Sequence, residues 1–156
     1  MTPGNNRDRL EGFLDIRWGE PADSVIAKML AKPGVRFDST DGFRFLFSGG
    51  EFAGFDVSEW DLRVGYKGFF SADVFFNHAS ESNLRRCYED IRQRFESRFG
   101  MGRALAKGRV TSWSFYANDS SYNSLSVSFI TAERVRVGFY GKEVSPMVKL
   151  PQEEFE

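Results

Sequence analysis

Six stretches of this sequence alternate apolar and polar residues, and this pattern constrains the fold more than any other feature. A period of two places successive side chains on opposite faces of a β-strand, so that one face is buried and the other is wet. Parallel strands, buried on both faces, would instead read as continuous apolar runs. The pattern therefore predicts an antiparallel sheet of about six strands, with the apolar positions Phe43/Phe45/Phe47, Trp60/Leu62/Val64/Tyr66, Phe70/Ala72/Val74/Phe76, Trp113/Phe115, Leu125/Val127/Phe129 and Val135/Val137/Phe139.

Two amphipathic helices are predicted beside these strands. The first begins at Pro21, because proline suits the first helical position, and ends at Pro33-Gly34. The second covers 82–99, with Ser82 as its N-cap and Gly100 as its stop. Its apolar residues recur at three- and four-residue steps, which builds one buried stripe. The expected fold is α+β, in the order helix, three strands, helix, three strands, with both helices on one face of the sheet.

The chain of 156 residues has room for a single core, and its 41% hydrophobic content is ample to build one. We expect one domain over 13–141. A flexible N-terminal tail is predicted at 1–12, which is rich in glycine, asparagine and charge. An irregular C-terminal tail is predicted at 142–156, because Pro146 and Pro151 interrupt regular structure there.

The net charge and the cysteine content limit which partners this protein is expected to bind and which cellular compartment it is expected to occupy. A net charge of −1 gives no long-range attraction to nucleic acid or to an anionic membrane. The single cysteine, Cys87, cannot form an intramolecular disulfide. There is no apolar run of about 18 residues that would predict a membrane span, and no signal-peptide core. These features predict a cytoplasmic protein, or a periplasmic one if a leader has been removed.

The stretch from Phe13 to Pro21 carries a resemblance to a known group. It resembles the "aromatic-x-x-hydrophobic-x-Trp-Gly-x-Ser/Pro" entry to the first helix of beta-lactamase-inhibitor-protein-like domains, small bacterial α/β domains that include outer-membrane assembly lipoproteins. Phe99-Gly100 and Thr111-Ser112-Trp113 are similar to the same pattern. The resemblance implies a bacterial domain that binds other proteins, with no catalytic residue. It also implies structural roles for Trp18 and Gly19. A lipidation cysteine near the start, as in the lipoproteins, is missing from this sequence.

Candidate catalytic groups are few. His78 is the only histidine and falls in a predicted strand-to-helix loop, and Cys87 lies on the predicted buried stripe of the second helix. The glycine-rich segments lack the lysine and hydroxyl of a phosphate-binding loop. No spacing forces two carboxylates together in an apolar pocket, among the candidates Glu89-Asp90, Asp38/Asp41 and Glu51/Asp56/Glu59. We therefore expect no catalytic residue, metal or cofactor.

The wet face of the sheet is the predicted binding surface. By strand parity it combines small hydroxyls, arginines and a few apolar side chains, a mixture suited to a protein partner. A mixed-charge helix face disfavours nucleic acid as the partner. The alternative is a small-ligand binder or hydrolase with a pocket between the sheet and the second helix near His78. The residues predicted for the binding face are Arg44, Arg63, Ser112, Ser114, Tyr116, Ser126, Arg134 and Arg136, with Ser124, Ser128, Leu46 and Phe75 beside them.

Overall fold

An eight-stranded antiparallel sheet dominates the α+β fold of this protein. The structure is a computed structural model that describes residues 10–78, 80–118, 121–131 and 133–141, with the backbone alone at 116–118, 121 and 122. The helices are α1 (Ala22–Leu30) and α2 (Glu81–Phe99). The strands are β1 (Gly12–Phe13), β2 (Ile16–Arg17), β3 (Arg36–Asp41), β4 (Arg44–Ser48), β5 (Glu51–Phe52), β6 (Phe55–Asp56), β7 (Glu59–Gly65), β8 (Gly68–Asn77), β9 (Arg103–Leu105), β10 (Val110–Asn118), β11 (Ser121–Thr131) and β12 (Arg134–Gly141).

The topology corrects the predicted strand count and order. The large sheet has eight strands rather than about six, in the order β3-β4-β7-β8-β12-β11-β10-β9, and β1–β2 and β5–β6 form two separate ribbons. Six strands lie between the helices and four follow α2, instead of three and three. The two additional sheet strands, β3 and β9, are exposed at every residue. Since neither has a buried face, neither shows the alternation on which the prediction depended.

The helices begin close to their predicted positions, with corrected caps. Pro21 is the N-cap of α1 rather than its first helical residue, and α1 buries Val25 and Met29 against the sheet. For α2 the cap is Ser80, not Ser82, because the Ser80 hydroxyl accepts a hydrogen bond from the Asn83 amide at 3.1 Å. Phe95 of the expected stripe of α2 is half-buried, and the other members are buried, namely Leu84, Cys87, Tyr88, Ile91 and Phe99.

The buried apolar side chains form one cluster between the helices and the sheet. Its centre is aromatic, because the β5–β6 ribbon inserts Phe52 among rings from four other elements, of which Phe76 of β8 lies 6.1 Å away. Phe52 lies 6.1 Å from Phe13, 6.4 Å from Trp60 and 6.4 Å from Phe139, measured between ring centroids. Burying each such ring contributes about 1.5–3 kcal/mol, so this cluster anchors the N-terminal ribbon to the sheet.

A β-bulge in the β7–β8 hairpin sets which side chains share a face. Gly65 pairs with Gly68 across the turn, but the register shifts by one residue, so that Arg63 pairs with Ser71. Without the extra residue, Phe70, the polar Asp61 would oppose the apolar Ala72. The bulge instead aligns apolar positions with apolar ones, and consequently polar positions with polar ones.

The entry to α1 is tied to the start of β8 by backbone hydrogen bonds. The Gly19 amide donates to the Phe69 carbonyl at 2.9 Å, and the Phe69 amide donates to the Glu20 carbonyl at 2.8 Å. Trp18 stacks on Phe69 with centroids 5.3 Å apart, and its indole N–H donates to the Leu10 carbonyl at 2.7 Å. Leu10 is buried. Part of the range assigned to an N-terminal tail therefore packs into the fold, whereas residues 1–9 and the predicted C-terminal tail at 142–156 lie outside the described residues.

Replacing Gly68 by alanine should destabilise the protein more than an ordinary turn substitution. Gly68 has φ +95°, and an added Cβ would lie 2.1 Å from the Gly19 carbonyl oxygen. We expect Gly68→Ala to lower the free energy of unfolding by more than about 2 kcal/mol, measured by urea denaturation. Gly54→Ala is the matched control, since Gly54 has φ +85° with no atom within 4 Å of the added Cβ. Equal losses in the two variants would show that the close approach to Gly19 carries no extra cost.

Candidate interaction site

The face of the large sheet opposite α1 and α2, here called the open face, gathers the polar positions of neighbouring strands. Backbone pairing places Asp61 beside Asp73, which is followed across the sheet by Gly138, Ser126 and Ser112. Two further rows flank this one. They contain Arg44, Arg63, Ser71, Tyr140, Ser124 and Ser114 on one side, and Glu59, Phe75, Arg136 and Ser128 on the other.

The predicted binding residues divide into two groups on this face. Arg44, Arg63, Arg134 and Arg136 belong to β4, β7 and β12, whereas the serines belong to β10 and β11. Arg63 and Ser114 are four strands apart in the sheet, or about 19 Å at the usual spacing between strands. Tyr116 of β10 pairs with Tyr122 of β11, and the structure describes only the backbone of Tyr116. The arginines thus form a patch that is distant from Ser112 and Ser114, whereas Ser126 lies beside Gly138 at the border of the patch.

Asp61 is at the centre of the arginine patch, although the sequence interpretation did not select it. Its side chain is only 4% exposed on a face without helices. Its Oδ2 atom lies 3.1 Å from a terminal nitrogen of Arg44 and 3.5 Å from one of Arg63. Two cations on adjacent strands therefore hold one carboxylate between them, and their long side chains shield it from water.

Asp73 lies directly opposite Asp61 and occupies space that Gly138 leaves open. A Cβ at position 138 would be 2.9 Å from the Asp73 Oδ1 atom and 3.4 Å from the Ser126 hydroxyl. Burial raises the pKa of Asp73, and the charge of Asp61 adds to that effect. Arg136, Arg63 and Arg44 oppose the shift without cancelling it. The Asp73 carboxyl is therefore easier to protonate than an ordinary aspartate.

Several buried polar atoms in this patch have no hydrogen-bond partner. They are Oδ1 of Asp61, Nε of Arg63, Nε of Arg136 and the hydroxyl of Ser128. Elsewhere in the described part of the chain, the buried Nε2 atom of His78 also has no hydrogen-bond partner. Buried polar groups in folded proteins are nearly always paired, so several unpaired polar atoms on one face are unusual.

Aromatic side chains border the patch. The Arg134 guanidinium carbon lies 4.2 Å from the centroid of Phe75, a cation–π contact, and Arg134 also pairs with Glu59 at 3.4 Å. At the other end of the face, ring contacts of 5.5–6.4 Å join four aromatic residues, and the outermost of them, Tyr66, is 89% exposed. This aromatic rim consists of Phe43, Tyr66, Phe70 and Tyr140.

The pocket expected between the sheet and α2 near His78 is placed differently by the structure. His78 follows β8, and its amide donates to the Glu133 carbonyl at 3.0 Å. The depression at this point has a volume of about 530 Å³ and is lined by Asn77, His78, Thr131, Glu133 and Arg134, with no contribution from α2. A separate depression of about 620 Å³ borders α2 at Glu81, Leu84 and Arg85, and His78 does not line it.

Cys87 is buried in the core. Burial, with a contribution from Asp90, raises the pKa of the Cys87 thiol to about 12, so the reactive thiolate is not populated near neutral pH. Within the described residues, no group of three or more His, Cys, Asp or Glu side chains is arranged to hold a metal ion. In the same part of the chain, neither helix is both long and apolar enough to cross a membrane.

No family model, curated protein or solved structure matches this chain. The similarity to beta-lactamase-inhibitor-protein-like domains accordingly stays a prediction from sequence.

The raised pKa of Asp73 predicts a specific dependence of stability on pH. The folded protein binds a proton at Asp73 more tightly than the unfolded chain does. The stability that this proton contributes is therefore fully present below the ordinary carboxyl pKa of 3.8. It is lost as the pH rises through the higher pKa of the folded state. We expect Asp73→Asn to reduce the loss of stability between acidic and neutral pH, measured by urea denaturation across that range.

The control for this experiment is Asp56→Asn, because Asp56 is exposed on β6. This control should leave the pH dependence of the wild type unchanged. If Asp73→Asn also leaves it unchanged, the Asp73 carboxyl has no raised pKa in the folded protein.

Proposed function

We propose that this domain binds another protein through the open face, with the arginine patch at the centre of the contact. The observation that carries the proposal is the concentration there of buried polar atoms without hydrogen-bond partners, on Asp61, Arg63, Ser128 and Arg136. Leaving such a group unpaired costs about 1–3 kcal/mol, so several of them on one face favour a surface where another molecule completes the bonding.

The arginines could rearrange to meet a partner, since the side chains of Arg44 and Arg63 are 41% and 38% exposed. A partner carboxylate or carbonyl would accept hydrogen bonds from their guanidinium groups, and a partner N–H or O–H would satisfy the free oxygen of Asp61. Bidentate arginine pairing also gives an interface its orientation. The open face would therefore select a partner with mixed polar groups rather than a uniformly charged one.

The surroundings of the patch also suit an interface. Interfaces are enriched in aromatic residues and arginine at their centres, and here Tyr140 of the aromatic rim lies in the same row as Arg44 and Arg63. The six inner strands of the sheet span about 24 Å, a width sufficient for the roughly 800 Å² that each partner buries in a stable complex. The serines of β10 and β11 extend the same surface with small side chains that allow close approach.

Binding should depend on the two arginines whose Nε atoms are unpaired. We expect Arg63→Gln combined with Arg136→Gln to abolish retention of the partner in affinity purification from the native cell lysate. After the partner is identified and purified, the same variant should raise the dissociation constant at least tenfold, about 1.4 kcal/mol, in calorimetry.

A matched variant removes two arginines from the opposite surface. Arg86 and Arg94 are exposed on α2, and Arg86→Gln with Arg94→Gln makes the same change of charge. This control should retain the partner, and circular dichroism should show both variants folded. Equal retention by the two double variants would exclude the open face as the binding surface.

A small-ligand site beside His78 is the second candidate function. It is favoured by the unpaired, buried Nε2 atom of His78 together with the depression lined by Asn77 and Arg134. A ligand that bonded to Nε2 would raise the melting temperature of the wild type but not of His78→Ala. A thermal-shift screen of small metabolites measures this difference, and equal shifts in both proteins would remove His78 from the site.

A further inference from the structure

Among the described residues, only part of the outer edge of β10 is paired with another strand. β9 pairs with β10 at three positions, Val110, Thr111 and Ser112. β10 has nine residues, so the six from Trp113 to Asn118 extend beyond β9, and in the described part of the chain β11 is the only strand that pairs with them. A strand edge of this kind offers backbone N–H and C=O groups to another strand.

The hydrogen-bond pattern identifies which backbone groups point outward. The Phe129 amide of β11 donates to the Arg109 carbonyl at 2.9 Å, in the same register as the rest of the β10–β11 pair. Residues of an antiparallel strand bond alternately to one side and the other, so Trp113 and Phe115 also bond to β11. The amides and carbonyls of Ser114 and Tyr116 consequently point away from the sheet.

The two edges of the sheet differ in their protection. The β3 edge carries the charged residues Arg36, Asp38 and Asp41 and a register shift between Phe37 and Ser39, features that discourage strand pairing. The segment 111–118 of β10 contains no charged residue, no proline and no glycine, and the Ser114 side chain is exposed. Its own register shift lies at the end of the strand, between Tyr116 and Asn118, after the outward-facing backbone groups of Ser114 and Tyr116. Its aromatic residues favour the strand conformation.

We infer that β10 pairs antiparallel with β10 of a second copy of this chain, joining two sheets into one about a twofold axis at Phe115. In that register the outward groups of Ser114 exchange hydrogen bonds with those of Tyr116 in the second copy, and Phe115 lies opposite its own equivalent. In that register residues 113–117 of the two copies lie opposite each other, and β9, which pairs with Ser112, limits the contact at each end.

The absence of charge makes the β10 edge compatible with a second copy of itself. In a twofold contact each residue meets a symmetry-related residue of the same segment, so any charge would lie close to a like charge. The uncharged segment 111–118 is free of this penalty. The inference goes beyond the proposed function, because the edge of β10 is used while the arginine patch stays accessible in each copy.

The test uses analytical ultracentrifugation of the full chain over a range of concentrations. The wild type should sediment as a dimer of the 17.8 kDa chain at micromolar concentration. Ser114→Pro removes one outward N–H without removing a bond to β11, and proline is tolerated on edge strands. Ser114→Lys introduces a charge that meets its equivalent. Both variants should raise the dimer dissociation constant at least tenfold while retaining the far-ultraviolet circular dichroism of the wild type.

Ser114→Thr is the conservative control, since threonine keeps the N–H and favours strands, and this variant should stay dimeric. The lysine variant keeps the inference testable if the proline variant fails to fold. A wild type that is monomeric throughout, or dimers that persist in Ser114→Lys, would overturn the self-pairing. A monomer that binds an extended peptide along β10 would also overturn it, in favour of a foreign strand.

Discussion

The register of the β7–β8 hairpin is the constraint on which the core and the open face both depend. One inserted residue, Phe70, brings Leu62 opposite Ala72 on the helix side of the sheet. Because side chains alternate, the same shift brings Asp61 opposite Asp73 on the other side. The burial of several apolar side chains thus fixes a geometry that is unfavourable by itself, two carboxyl groups facing each other. The arginines of β4, β7 and β12 offset the repulsion, and Gly138 supplies the space.

This relation explains how much the sequence could predict. The inner strands and both helices were recoverable, because their apolar positions follow the periods of two and 3.6 that burial imposes. The edge strands were not, since every residue of β3 and β9 is exposed and neither strand has the buried face that produces an alternating pattern. The cap of α2 was misplaced because Ser80 and Ser82 have the same capping chemistry, and the local backbone decides between them.

The candidate site was recovered only in part for a related reason. Strand parity selected Arg44, Arg63 and Arg136 as members of one face, which needs only the alternation within each strand. The pairing of Asp61 with Asp73 requires the register between strands, and the turn at Gly65 and Gly68, without a bulge, points to a different register. Which residues of neighbouring strands lie close together is thus a property of the tertiary structure. It places two aspartates, Asp61 and Asp73, opposite each other on the open face.

The difference between the two sheet edges has a consequence for assembly. A sheet whose two edges were equally receptive could add copies at both sides and grow into a fibre. Here a contact through β10 would use the receptive edge of both copies and leave β3, with its charges and bulge, at each outer end. Assembly would then terminate after one step. In a continuous sheet the two open faces would lie on the same side, so the pair would engage its target with two sites at once.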